Sequence, residues 1–138
     1  MSGMLDTAKQ FFGSCESGQG WEACVPYCQA DAAFSCQSGA LGEVTTLAQY
    51  AEWMKGMQSV MPDAAYEIKA AAEDASTNSV MVFAVFTGTH TGGGGHVEPT
   101  GKSTVTDYCL IMHFEGDTIS AVTKVWNDAF AMGQLGWV

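Results

Sequence analysis

The sequence predicts an α+β fold, with helices first and an antiparallel strand meander after them. Three observations predict it. Apolar residues recur every three or four positions in two stretches of the first half, the spacing of helices that bury one face. From about residue 64 onward the pattern changes to strand-like runs, one of them apolar on both faces. Tight-turn residues then separate those runs at hairpin spacing. That order places the helices on one face of a curved, mostly antiparallel sheet wrapped around them.

Met4, Leu5, Ala8, Phe11, Phe12 and Cys15 fall at helical spacing, with polar residues between them, so residues 4–15 form an amphipathic helix. Gly18-Gln19-Gly20 breaks it. A short helix follows at Trp21 to Val25, before Pro26. Asp31 to Gln37 reads as a short strand centred on Phe34, and residues 38–42 as a loop. Thr46 with Gln49 three positions later is a capping-box pattern, in which each side chain satisfies an amide at a helix start. Leu47, Tyr50, Met54, Met57 and Met61 then recur at helical intervals until Pro62 stops the helix. Its Met-rich face, which carries Trp53, suits either ordinary core or the lining of a pocket.

Ala64 to Ala72 forms a strand, and residues 80–86, apolar on both faces, form a central one. Gly92 to Gly95 make a flexible hairpin connection into a long strand at 103–114. Phe114-Glu115-Gly116-Asp117 is a tight turn, and residues 119–127 return as the last strand. There is no internal repeat and no inter-domain linker, so residues 1–138 are expected to be one domain.

Fifteen acidic residues against five basic ones give a formal net charge of −10. Phosphate backbones and anionic membrane surfaces need clustered Lys and Arg, so neither nucleic acid nor membrane is an expected partner. No apolar run approaches the roughly 20 residues that span a bilayer. The five cysteines, an odd number, and the lack of a secretory N-region point to reduced thiols in a cytoplasmic protein. Cys24 and Cys28 share a helical face, but no second ligand pair at zinc-site spacing accompanies them. Neither a metal nor a cofactor is expected.

One ordered set of motifs goes further. Gly88-Thr89-His90-Thr91-Gly92 is followed by Pro99-Thr100-Gly101-Lys102, Phe114-Glu115-Gly116-Asp117-Thr118-Ile119, Trp126-Asn127-Asp128 and Gln134-Leu135-Gly136. In that order they resemble the SnoaL-like polyketide cyclase family of the NTF2-like superfamily. The resemblance implies a cone, in which a strongly bent sheet wraps around helices and leaves a mostly apolar cavity for a small organic ligand. It also implies a homodimer that pairs through the open face of the sheet. His90 matches the family's pocket-facing histidine. Asp128 stands near the place of the family's general acid/base aspartate, which removes a proton next to a carbonyl. In the family that aspartate lies further from the tryptophan than Asp128 does from Trp126.

The residues themselves add candidates. A carboxylate in a strand interior needs a reason, which makes Asp107 a second acid/base candidate. Alternation puts Asp107, Cys109, Ile111 and His113 on one face and Tyr108, Leu110, Met112 and Phe114 on the other. The period alone does not say which face is inward. Trp21, Tyr27, Trp53, Tyr108 and Trp126 are candidate substrate-binding aromatics. Lys102 reads as a solvated loop residue, and His90 with His96 is not a metal pair, for want of a third ligand at fixed spacing. The expected function is a cofactor-independent enzyme of cyclase, isomerase or lyase type. It performs acid–base chemistry on a small carbonyl compound, with Asp128 as base and His90 as hydrogen-bond donor or proton partner to the enolate oxygen. The alternative is a noncatalytic module that binds a small ligand or a protein, since one fold hosts both. A cavity filled by side chains favours that alternative.

Overall fold

The computed structural model describes residues 3–138. Helix α1 spans Met4–Glu16 and α2 spans Trp21–Cys24, followed by a 3-10 turn at Val25–Tyr27. Strand β1 is Cys28–Cys36, helix α3 Leu47–Val60, and strands β2 to β5 are Ala65–Asp74, Ser79–Thr89, Ser103–Glu115 and Thr118–Trp126. Helix α4, Asp128–Leu135, completes the order.

The sheet runs β1-β5-β4-β3-β2. β1 pairs in parallel with β5, and every other pairing is antiparallel. The sheet is open, with β1 and β2 at its edges. Register shifts in β1, in β2 and between His113 and Phe114 let it bend, because an extra residue on one strand raises the local twist. The concave face holds α1 and α3. Phe11, Phe12, Leu47 and Tyr50 have no exposed surface there and pack against Val80, Val82, Leu110 and Met112. Each such side chain contributes roughly 1.5–3 kcal/mol of burial.

The Thr46–Gln49 capping box forms as the sequence predicts: Gln49 N–H donates to Thr46 Oγ1 at 3.2 Å, and Gln49 Oε1 accepts from Thr46 N–H at 3.2 Å. Strand β1 begins at Cys28 rather than Asp31, because its first residue pairs with Ile119 of β5 across a long-range ladder that local pattern does not reveal. Helix α4 was not expected from periodicity. Its start is fixed by the Asn127 side chain, which accepts from Phe130 N–H at 3.1 Å, and its end by Gly136 at φ 75°.

The alternation on β4 is settled by packing. Tyr108, Leu110, Met112 and Phe114 face the helices, while Asp107 is exposed on the convex face.

Candidate active-site cavity

Three ionisable side chains from three elements meet inside the concave face. Glu16 is the last residue of α1, Tyr50 lies in the first turn of α3, and Lys124 lies near the end of β5. All three are buried, at 3%, 0% and 5% exposure, where charged groups are rare unless partnered. Lys124 Nζ donates to the Tyr50 hydroxyl at 3.0 Å. That hydroxyl donates to Glu16 Oε2 at 2.8 Å. The charges are thus joined through a tyrosine rather than in a direct ion pair.

Aromatic rings enclose the ammonium. Nζ lies 4.9 Å from the ring centre of Tyr50, 5.7 Å from Trp53, 5.0 Å from Tyr108 and 4.6 Å from Trp126, within cation–π range of all four. Burial pulls the Lys124 pKa below the ordinary lysine range, and nearby Glu16 partly opposes this. Burial, reinforced by Glu16, pushes the hydroxyls of Tyr50 and Tyr108 far above the ordinary tyrosine range. Three oxygens here are buried without a hydrogen-bond partner: Glu16 Oε1, Thr106 Oγ1 and Tyr108 Oη. Such groups are costly to bury and are unusual away from functional sites.

These groups border a cavity of about 40 Å³. Glu16, Lys124, Tyr108, Thr104 and Thr106 provide its polar lining. Its apolar walls include Trp53 and Trp126 together with Met54, Met57, Met61 and Met132. Ala131, Met132 and Leu135 of α4, with Trp137 beyond it, form one wall. The space holds about three water molecules, at roughly 10–15 Å³ each on this measure.

The structure brings together some of the residues singled out from sequence and separates others. Trp53, Tyr108 and Trp126 line the cavity. Trp21 instead borders a surface groove with Gln19, Glu22 and Lys55, and Tyr27 packs partly buried against the core without lining the cavity. Asp128 lies at the start of α4, outside the lining, where its Oδ2 accepts from Ala40 N–H at 2.9 Å. It ties the 38–41 loop to the helix. Asp107 is turned away by the strand period, and His113 shares its face. His90 is fully buried but one layer back from the cavity. Its Nδ1 accepts from Trp137 Nε1–H at 2.9 Å and from Thr100 N–H at 3.4 Å, so it holds a cavity-wall residue rather than facing the cavity itself.

Glu16 and Lys124 are the charged residues of the lining, and neither is among the candidates drawn from sequence. Glu16 lies four positions after Phe12 on the buried stripe of α1, and Lys124 lies two positions after the inward-facing Val122 of β5. A charged residue at an inward position was the available signal for each.

Among the described residues, no group of three His, Cys, Asp or Glu side chains could hold a metal ion. No helix there is long and apolar enough to cross a membrane.

The family model of the SnoaL-like polyketide cyclases matches residues 6–135. No curated protein matches the sequence. Solved structures show the same fold at low identity. IdmH from Streptomyces antibioticus, a candidate polyketide cyclase, is 19% identical with a TM-score of 0.76, over 98% of this chain and 99% of its own. A candidate SnoaL-like cyclase from Jannaschia sp. CCS1 is 13% identical with a TM-score of 0.79, over 96% and 90%. A protein of ketosteroid isomerase-like fold from Catenulispora acidiphila, solved with trimethylamine, is 15% identical with a TM-score of 0.71, over 95% and 92%.

Proposed function

The chain belongs to the SnoaL-like polyketide cyclase family, and from that premise we propose that it performs acid–base chemistry on a small carbonyl compound held in the cavity described above. The observation that carries this reading is the free, buried Oε1 of Glu16 at the wall of an otherwise mostly apolar cavity, with unpartnered hydroxyls of Tyr108 and Thr106 in the same lining. A carboxylate oxygen without a partner can accept a proton from the carbon next to a carbonyl. A hydroxyl without a partner can donate to the carbonyl oxygen as negative charge develops on it. Isomerisation, aldol cyclisation and elimination all begin with that step. In this reading Glu16 takes the role that the sequence suggested for Asp128, and Tyr108 the donor role suggested for His90. His90 and Asp128 act through position, by fixing Trp137 and the start of α4.

The size of the cavity supports a substrate of a few heavy atoms, or a larger one admitted when the methionine side chains and α4 shift. Deuterium exchange at the α-carbon of small ketones and aldehydes, followed by NMR, tests the reading. Wild type is expected to accelerate exchange for at least one compound, and Glu16→Gln to slow it by on the order of 10²–10⁴, the usual contribution of a positioned base. Equal exchange in both proteins removes Glu16 from the mechanism.

A second reading is favoured by one observation: side chains leave only about 40 Å³ free. Such a site suits a noncatalytic module that binds a small ligand. A ligand-induced rise in melting temperature without α-exchange of any carbonyl compound would select it.

The proposal includes a homodimer. On the convex face Met81, Phe83, Val105 and Val125 are each 40–60% exposed, and the register aligns Phe83 with Cys109 and Cys109 with Val125. An apolar sheet face of this kind is what a second copy would cover. A cytoplasmic location fits the five free thiols.

A further inference from the structure

We propose that Lys124 is a covalent catalytic residue, whose amine condenses with the carbonyl carbon of a small aldehyde or ketone in the cavity to form an imine. The proposal rests on the carbonyl reading above and adds the chemistry that would make proton removal by Glu16 easier.

Four observations carry it. Lys124 is buried and lines the cavity. Its ammonium has no carboxylate within ion-pair distance; among the described residues the recorded ion pair is Lys69 with Glu67, at the surface. Its surroundings are largely the rings of Tyr50, Trp53, Tyr108 and Trp126, which desolvate it. Its hydrogen bond runs into a relay, Nζ–H to Tyr50 to Glu16 Oε2, that ends on a carboxylate bordering the same cavity. A buried ammonium without a direct counter-ion carries an uncompensated desolvation cost and so needs a reason. A lysine used as a nucleophile needs a desolvated site and a route for its proton. The downward pull on its pKa by burial agrees with that use.

The steps balance. The relay passes one proton from the Lys124 ammonium to the Tyr50 oxygen while Tyr50 passes its own to Glu16, leaving a neutral amine and a neutral carboxylic acid. The amine lone pair forms a C–N bond to the carbonyl carbon, and a proton moves from nitrogen to oxygen to give a carbinolamine. Glu16 then donates its proton to the hydroxyl, the C–O bond breaks, and water leaves. The products are a protonated imine and the Glu16 carboxylate, with the starting charges restored. Glu16 is then a base again, beside a carbon acidified by the iminium. The three-water scale of the cavity limits a tightly held reactant to a few heavy atoms, such as propanal or butanone.

Reductive trapping tests this. The full chain is incubated near pH 7 with propanal or butanone and sodium cyanoborohydride, then digested and mapped by mass spectrometry. Hydride from the reagent reduces the imine to a secondary amine, a mass gain equal to the carbonyl compound less one oxygen atom. The exposed lysines Lys9, Lys55, Lys69 and Lys102 are internal references. At pH 7 an ordinary lysine is neutral in only about one molecule in two thousand, so its labelling is slow. Lys124 is expected to label at least about tenfold faster than these references, as a desolvated amine with a route for its proton should. Tyr50→Phe, which cuts the relay but keeps the ring, is expected to lower the ratio of Lys124 label to reference label within the same molecules. A merely structural role for Tyr50 would not lower that ratio. Labelling of Lys124 at or below the reference rate overturns the proposal, as does a ratio unchanged in Tyr50→Phe. The exchange assay keeps the two readings apart. Exchange without trapping removes the imine and leaves acid–base catalysis. Trapping without exchange supports the imine and removes Glu16 as the base. Absence of both removes both.

Discussion

The buried Lys124–Tyr50–Glu16 cluster makes a strong prediction about stability, and Tyr50→Phe is the substitution that exposes it. The ring itself is well placed without its hydroxyl: it stacks on Phe34 at 4.3 Å between centroids and 9° between planes, and phenylalanine can keep that stack. What is lost is two hydrogen bonds, one given to Glu16 at 2.8 Å and one accepted from Lys124 at 3.0 Å. Hydrogen bonds to charged groups contribute about 1.5–3 kcal/mol each. Removing a shared partner also leaves Glu16 with neither oxygen bonded and Lys124 with no acceptor, since Oε1 already lacks one. Against this, phenylalanine no longer buries a hydroxyl. The net loss is about 3–4 kcal/mol. For a chain of this size that corresponds to a fall in Tm of about 10–15 °C. Urea denaturation followed by tryptophan fluorescence should show a lower midpoint at an unchanged slope, the mark of lost stability rather than a changed unfolded state. Tyr66→Phe, whose hydroxyl makes no comparable pair of bonds, should cost less than about 0.5 kcal/mol. A loss below about 1 kcal/mol in Tyr50→Phe would mean that the two bonds to Tyr50 contribute little. The coupling of Lys124 to Glu16 through Tyr50, and the relay argued from it, would then fall.

Two further outcomes follow from burial. Cys15, Cys24, Cys28 and Cys36 are buried and Cys109 is partly so; a thiol reagent at neutral pH should therefore modify Cys109 first in the native chain and all five after denaturation without reductant, whereas three or one reactive thiols after denaturation would reveal a disulfide. The same burial sets an alkaline limit. Desolvation pushes Cys28 up from 9.0 to about 12, so the unfolded chain releases that proton first. The stability it contributes is full below about pH 9 and is lost as pH rises toward 12, at up to about 1.4 kcal/mol per unit, and Cys28→Ala should flatten that part of the profile. On the convex face, light scattering should give a dimer mass, and Val125→Asp should shift it to a monomer while leaving the fold intact; a wild-type monomer at micromolar concentration would refute the pairing.

The fold was legible because its signals are local. The Thr46–Gln49 capping box, the Pro62 stop and the Gly116 turn each act within a few residues, and each appears where the pattern put it. Strand β1 was less legible because its first pairing partner, Ile119, lies far along the chain. The cavity was half legible. Trp53, Tyr108 and Trp126 were found because aromatics at inward positions are expected to line any concave space. Glu16 and Lys124 were missed for the opposite reason. On sequence alone a charged residue beside an apolar stripe reads as the edge of a solvated face. It becomes informative only when the period places it inside the stripe, as Phe12 does for Glu16 and Val122 for Lys124. The family motifs point elsewhere, because His90 follows the end of β3 and Asp128 opens α4, both near the cavity without lining it.

Those two residues nevertheless bear on the cavity through α4. One cavity wall is Ala131, Met132 and Leu135 with Trp137, and hydrogen bonds to the rest of the fold tie both ends of the helix. Asp128 holds the first turn to Ala40, and Gln134 Oε1 accepts from Thr104 Oγ1–H at 2.7 Å and from Val105 N–H at 3.0 Å. Thr100 donates to the Leu135 carbonyl at 2.6 Å, and His90 receives the Trp137 indole. All but the Asp128 contact anchor the last turn and the residue beyond it to the 90–105 segment. The rest of the lining mixes the aromatics Trp53, Phe86, Tyr108 and Trp126 with Met54, Met57 and Met61, whose unbranched side chains change rotamer at little cost. The cavity therefore has a rigidly attached α4 wall and an adaptable methionine patch. A reactant of a few heavy atoms needs only the methionines to move, whereas a polyketide-sized one needs the bonds to α4 to break. The geometry of those bonds, more than the identity of the buried acid and amine, sets the size of molecule that can reach Lys124 and Glu16.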